Sequence, residues 1–168
     1  MPNTSAFDIV ISILSELHYI LAPVKDLEAS PVLEIFGGRM ETRHKCVSCE
    51  MTSVNNELLL CIQLSLSESE NLQQVIDEAF RTKTIRCPKC SGKFCNVQKE
   101  ITEAPMVLLL HVSRVPEWSK EKSFRVSPSI ELPNFSHYKI LGSVQDENVA
   151  IVTCPDNSLV SIANRRVN

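Results

Sequence analysis

The sequence predicts an α+β fold, with one helix first and then mainly antiparallel strands interrupted by a second helix. Three observations carry this. Apolar residues recur at helical spacing in SAFDIVISILSELHYIL (5–21) and again in NLQQVIDEAF (71–80). ELLLCIQLSLS (57–67) alternates with a period of two, and further short strand-like runs fill the last third of the chain. Two C-x2-C pairs, Cys46/Cys49 and Cys87/Cys90, bracket the alternating segment and the second helix, so the chain is expected to leave and return to one point.

Val10, Leu14, Leu17 and Leu21 form the apolar face of the first helix, with Ile13 and Ile20 beside them. Ser5 is placed to cap its start, Asp8 lies three residues on, and Pro23 ends it. His18 sits near its end, where a cation suits the dipole. Residues 23–31 read as a loop, and VLEIFGG (32–38) reads as a strand running into a glycine pair. In 57–67, Leu58, Leu60, Ile62, Leu64 and Leu66 share one face. Leu72, Val75, Ile76 and Ala79 make the core face of the second helix. FCNVQKEI leaves the second cysteine pair as a strand. The run MVLLLHVSRV (106–115), continuous in apolar residues, reads as a buried strand, with Val107 to Leu110 almost fully covered. SFRVS, YKILGSV, NVAIVT and SLVSI follow as short strands separated by turn residues such as Pro133-Asn134 and Asp156-Asn157. The strands from Met106 onward are expected to form an antiparallel sheet on which the first helix packs.

Composition is that of an ordinary globular chain. At 168 residues, with 43% apolar and 22% charged residues, it is expected to be a single domain with a real core. The first apolar stretch contains Asp8, Glu16 and His18 and makes a poor membrane span, and no secretory signal is read. Seven cysteines in that setting point to a reducing compartment, cytoplasm or nucleus, and their odd number argues against complete disulfide pairing.

The paired cysteines carry the chemistry. A structural zinc takes four soft ligands in a tetrahedron, and two C-x2-C turns set face to face supply them. Structural disulfides or plain buried thiols are the alternatives. A redox dithiol needs one pair at a helix N-terminus, and neither pair opens a convincing helix. The expected ligands of one structural zinc are therefore Cys46, Cys49, Cys87 and Cys90, with His44 as the substitute in a three-cysteine, one-histidine site. Cys61 reads as core, and Cys95, beside the second pair, as packing, with a spare ligand as the alternative. Cys154 precedes Pro155 in a turn, and a Cys154–His137 nucleophile pair has no motif behind it. Arg39, Arg43, Lys45, Arg81, Lys83, Arg86, Lys89 and Lys93 gather around the two pairs. Such a cluster can bind nucleic acid, but it equally offsets a negative tetrathiolate centre, and no aromatic stacking platform accompanies it.

The order of a helix, an F-G-G segment, C-x2-C, an alternating strand, a short helix, C-x2-C and then APMVLLLHVSRV, SFRVSPSIELP and YKILGSV resembles the ubiquitin-specific protease family of cysteine peptidases. The likeness covers about residues 5–163. Its most specific parts are the cysteine pairs and Ala104 to Val115, similar to the family's L-P-x-V-L-x-L-H-L-K-R-F strand. It implies a partial papain-like fold within 1–168: the end of the thumb at 5–22, fingers with a zinc ribbon at 32–103, and a palm sheet at 104–163. It also makes His111 a structural histidine.

Two departures from the family shape the functional expectation. The family's nucleophile lies in a G-N-T-C-x-x-N box ahead of the thumb helix, and this chain starts at Met1 almost on that helix. Its catalytic histidine lies in a G-H-Y-x-A-Y strand. The matching strand here is DENVAIV, with Glu147 at the histidine position, and no histidine follows His137. Asp156 or Asn157 matches the third catalytic position. The resemblance therefore implies a catalytically inactive module that binds ubiquitin or a ubiquitinated protein weakly, or a protein that completes its fold. The alternatives are a fragment or isoform of an active deubiquitinase and a zinc-ribbon nucleic-acid module.

Overall fold

The computed structural model describes residues 6–22, 29–66, 71–90, 94–114, 125–145, 149–153 and 159–163. Helix α1 (Ala6–Leu21) leads to a short α2 (Pro31–Phe36). A four-stranded antiparallel sheet follows, with spatial order β2 (Thr52–Leu59), β1 (Gly38–Cys46), β5 (Cys95–Glu103) and β4 (Lys83–Ile85). Between β2 and β4 the chain runs through β3 (Ile62–Leu66) and α3 (Leu72–Phe80). Beyond β5, β6 (Leu110–Arg114) pairs with β3. The hairpin of β7 (Ser129–Leu132) and β8 (Phe135–Lys139) comes next, then an antiparallel sheet of β9 (Gly142–Gln145), β10 (Val149–Thr153) and β11 (Leu159–Ala163). No helix among the described residues is long and apolar enough to cross a membrane.

The α+β reading stands, and α3 forms as expected. Asn71 caps it by accepting from the Gln74 N–H at 3.0 Å, and Leu72, Val75 and Ile76 are buried. These three pack with Leu59, Ile62, Leu64, Leu66, Ile101, Ile130 and Leu132 in one core. Each such side chain contributes about 1.5–3 kcal/mol on burial. The Gln73 amide locks α3 to β7, donating to the Glu131 carbonyl and accepting from the Glu131 N–H, both at 2.9 Å.

Five local expectations give way. Residues 32–36 are helical, not extended, because Ser30 caps the segment through its Oγ (3.2 Å from the Val32 nitrogen) and Pro31 takes the first helical position. The strand expected over 57–67 is two strands in different sheets. Leu59 is buried and Leu58 half exposed, whereas Ile62, Leu64 and Leu66 are buried, so the inward phase slips by one residue at Leu60–Cys61. β6 pairs with β3 in parallel, not antiparallel, the intervening chain serving as the crossover such a pairing needs. Val107 to Leu110 are half-buried, not covered, and the strand starts only at Leu110. Ahead of it the chain is tied by the Val107 N–H to the Ile35 carbonyl and the Leu109 carbonyl to the Ile62 N–H, both 2.9 Å. Among the described residues, β6 has a ladder on one side only.

The fifth concerns α1. Of its expected core face only Leu14 is buried, while Val10, Leu17 and Leu21 are 41–49% exposed. The helix packs mainly on α2 and reaches β6 through Phe7, stacked on the His111 ring at 4.1 Å between centroids. Ile9, Val10, Ile13, Leu17, Ile20 and Leu21 leave an apolar stripe of the helix more than 40% exposed. Ser5 and Pro23 lie outside the described residues.

Candidate metal centre

Strand register assembles the site. β1 and β5 pair so that Cys46 stands opposite Cys95, and β4 pairs with β5 so that Ile85 also stands opposite Cys95. Cys46 is thus the last residue of β1, and Cys87 follows two residues after β4 ends, at the same end of the sheet. The first turn closes when the Cys46 N–H donates to the Met51 carbonyl at 2.9 Å. Glu50 absorbs the reversal at φ 54, the left-handed region that glycine usually occupies. In the second turn the Lys89 N–H donates to the Cys87 sulfur at 3.4 Å.

The result is a four-sulfur cluster. Cys46 Sγ lies 3.7 Å from Cys90 Sγ, Cys49 Sγ lies 3.8 Å from Cys87 Sγ, and all four are within 4.8 Å of one another. A zinc tetrahedron with bonds of about 2.3 Å to sulfur has edges of about 3.8 Å, so the spacing and the soft donor set suit such an ion. Cys46 and Cys87 are buried, Cys49 is half-buried and Cys90 is exposed, which leaves the cluster open on one side. Electrostatics favour thiolate at Cys46. The Cys49 backbone N–H, foremost, pulls its thiol down to about 6 against the opposing effect of burial, with the Ser48 N–H and the thiols of Cys87 and Cys49 assisting.

Among the other sequence candidates, His44 lies in β1 opposite Ser53 and Val97 and is not in the four-sulfur group. Cys95 is fully buried and packs against Cys46 and Cys87. Burial first, and then the neighbouring Cys87, Cys46 and Cys49, push its thiol up, so it behaves as a neutral fifth sulfur. The sequence leaves Cys95 between packing and a spare ligand, because its place opposite Cys46 depends on long-range register. Cys61 joins β2 to β3, half-buried. Its thiol is pushed up by burial and takes the backbone N–H, not the ring, of His111. His137 pairs with Glu131 at 3.2 Å. Cys154, Glu147, Asp156 and Asn157 lie outside the described residues. Of the surrounding cations, Arg39 pairs with Glu103 at 3.2 Å and Arg43 with Glu41, while Lys45, Arg86 and Lys89 stand exposed beside the cysteines.

A profile of the ubiquitin carboxyl-terminal hydrolase family matches residues 6–150. Ubiquitin carboxyl-terminal hydrolase 17-like protein D of Mus musculus is 27% identical over 131 residues, covering 74% of this chain and 23% of that protein. Ubiquitin carboxyl-terminal hydrolase 36 of Drosophila mojavensis is 22% identical over 134 residues, covering 75% and 11%. Among solved structures, a chain of the Ubp8–Sgf11–Sgf73–Sus1 SAGA DUB module superposes with a TM-score of 0.77 at 15% identity, over 98% of this chain and 44% of that one. A chain of the module bound to monoubiquitin gives 0.75 at 14%, over 95% and 42%. The chain thus spans under half of these structures and a quarter or less of these two relatives.

Proposed function

Because the chain belongs to the ubiquitin carboxyl-terminal hydrolase family, we propose that as it stands it is a ubiquitin- or protein-binding module that performs no hydrolysis, stapled by one structural zinc. The observation that carries the reading is the placement of its thiols and imidazoles. Four of the six described cysteines gather in the four-sulfur cluster, and Cys61 and Cys95 are thiols whose ionisation burial opposes. Activating a cysteine takes a base within hydrogen-bond reach. His111 is stacked on Phe7, His137 is paired with Glu131, His44 lies within the four-stranded sheet, and His18 is in α1, where its Nδ1 has no hydrogen-bond partner among the described residues.

The module is read as a single partial domain over 1–168, with a thumb-end helix at 5–22, fingers at 32–103 and a palm at 104–163. Zinc through Cys46, Cys49, Cys87 and Cys90 would hold the far end of the four-stranded sheet closed, and the nearby lysines and arginines would offset the charge of the tetrathiolate. The first expected partner is ubiquitin, alone or on a conjugated protein, bound weakly; the related SAGA module is seen with monoubiquitin. The second is a protein that completes the fold over the apolar stripe of α1. The compartment is cytoplasm or nucleus, in keeping with six free cysteines among the described residues.

One observation favours a second reading, in which the chain is part of an active deubiquitinase: it spans 42–44% of the structural relatives. Fluorogenic ubiquitin and a ubiquitin probe with a thiol-reactive warhead test the first reading, with NMR titration of unmodified ubiquitin in parallel. Binding without turnover or labelling supports it, and turnover by this chain overturns it.

A further inference from the structure

We infer that Cys46 and Cys95 form a reversible cross-strand disulfide under peroxide, which expels the metal and makes the cluster an oxidant-sensitive site. The inference rests on the four-cysteine metal reading. The two residues are directly opposed in the β1–β5 ladder, on one face of the sheet, and their side chains pack together with Cys87. Cys46 directs its own N–H away from β5, to the Met51 carbonyl, while the next residue, Val47, donates to the Phe94 carbonyl of the opposing strand at 2.9 Å. Cys46 and Cys95 are therefore a non-hydrogen-bonded pair, the kind whose Cα atoms approach to about 4.5 Å with side chains close. That separation falls inside the window of about 4.4–6.8 Å that a disulfide bridges.

The cluster supplies an entry point and a resolving thiol. Cys90 is the exposed member, and its sulfur is 3.7 Å from Cys46 Sγ. Peroxide takes an electron pair from the Cys90 thiolate, giving a sulfenic acid and hydroxide. Cys46 thiolate attacks the Cys90 sulfur, the S–OH bond breaks, and a second hydroxide leaves. Cys95 gives its proton to one of the two hydroxides, which becomes water, and the resulting thiolate attacks Cys46 Sγ and releases the Cys90 thiolate. In sum, one thiolate, one thiol and one hydrogen peroxide give one disulfide, one water and one hydroxide. The metal loses Cys46 as a ligand, and a dithiol reductant restores the original set. Cys95 thus serves a purpose that packing alone does not require: a buried partner in register with a ligand.

Trypsin separates the participants. Cys46 falls in fragment 46–81, Cys87 in 87–89, Cys90 in 90–93 and Cys95 in 94–99. Zinc-loaded protein treated with stoichiometric hydrogen peroxide should release zinc to a colorimetric chelator and yield 46–81 linked to 94–99, with tandem fragmentation placing the link on Cys46. Dithiothreitol with added zinc should reverse both. In Cys95→Ala, and equally in Cys95→Ser, that linkage should be lost and Cys46–Cys90 should take its place, while zinc binding before oxidation is kept. Metal content before oxidation tests the metal reading, and the same linkage map on metal-free reduced protein tests this one. An end product that leaves Cys95 a free thiol, or links it elsewhere than Cys46, overturns the inference.

Discussion

Glu50→Gly should stabilise the metal-loaded protein. Glu50 follows Cys49 directly and sits at φ 54. For an L-residue the left-handed conformation costs about 1–2 kcal/mol, because Cβ crowds the following carbonyl. Glycine removes that cost but gives back about 0.5–1 kcal/mol through the greater freedom of the unfolded chain. The side chain is exposed, so its loss removes no packing. The net gain is about 0.5–1 kcal/mol, which for a domain of this size raises Tm by roughly 1–4 °C. Thermal unfolding of zinc-loaded wild type, Glu50→Gly and Glu50→Ala reads it. The alanine variant keeps Cβ while losing the carboxylate beside the thiolates, so it separates backbone relief from charge. A lower Tm for Glu50→Gly, or an equal rise in Glu50→Ala, would refute the backbone reasoning.

Four more outcomes are expected. Cys87→Ser should lower bound metal from about one equivalent to near none and speed amide exchange across residues 40–95. Ile76→Ala, at a fully buried position in the central core, should lose about 2–5 kcal/mol in denaturant unfolding. Gly38→Ala places a Cβ 2.6 Å from the Glu103 carbonyl oxygen and 2.8 Å from Pro105 Cδ, so it should destabilise by more than about 1 kcal/mol, whereas the exposed Met106→Ala should stay within about 0.5 kcal/mol. The Cys46 thiol is depressed from 9.0 to about 6. Its ionised form therefore adds to metal-free stability as pH rises from about 6 to 9, and the gain is lost as pH falls through about 6; proton competition should weaken metal affinity in the same acid range.

The sequence makes some features plain because their signals are local. α3 has both its apolar spacing and its cap, Asn71, within one segment, and the cysteine pairs announce themselves by spacing. Other features depend on groups that pattern does not weigh. VLEIF looks extended until Ser30 and Pro31 impose a helix start. Leu58, Leu59 and Leu60 are apolar in both phases, so the slip that sends β2 and β3 into different sheets leaves no trace in the alternation. Periodicity finds an apolar face on α1 but cannot say which stripe is covered, and the structure buries Leu14 while leaving Leu17 and Leu21 half exposed. The neighbour relation of Cys95 and Cys46 is a matter of register between strands far apart in sequence.

Binding and turnover measured on one zinc-loaded sample test the proposed function most directly. Unmodified ¹⁵N-ubiquitin is titrated with the chain by NMR, and the same preparation is given fluorogenic ubiquitin. The expected result is saturable, weak shifts on ubiquitin with turnover at the level of buffer. Turnover above buffer that disappears on Cys154→Ala, Cys61→Ala or Cys95→Ala would contradict it, as would ubiquitin signals unmoved at saturating concentrations of the folded, metal-loaded protein.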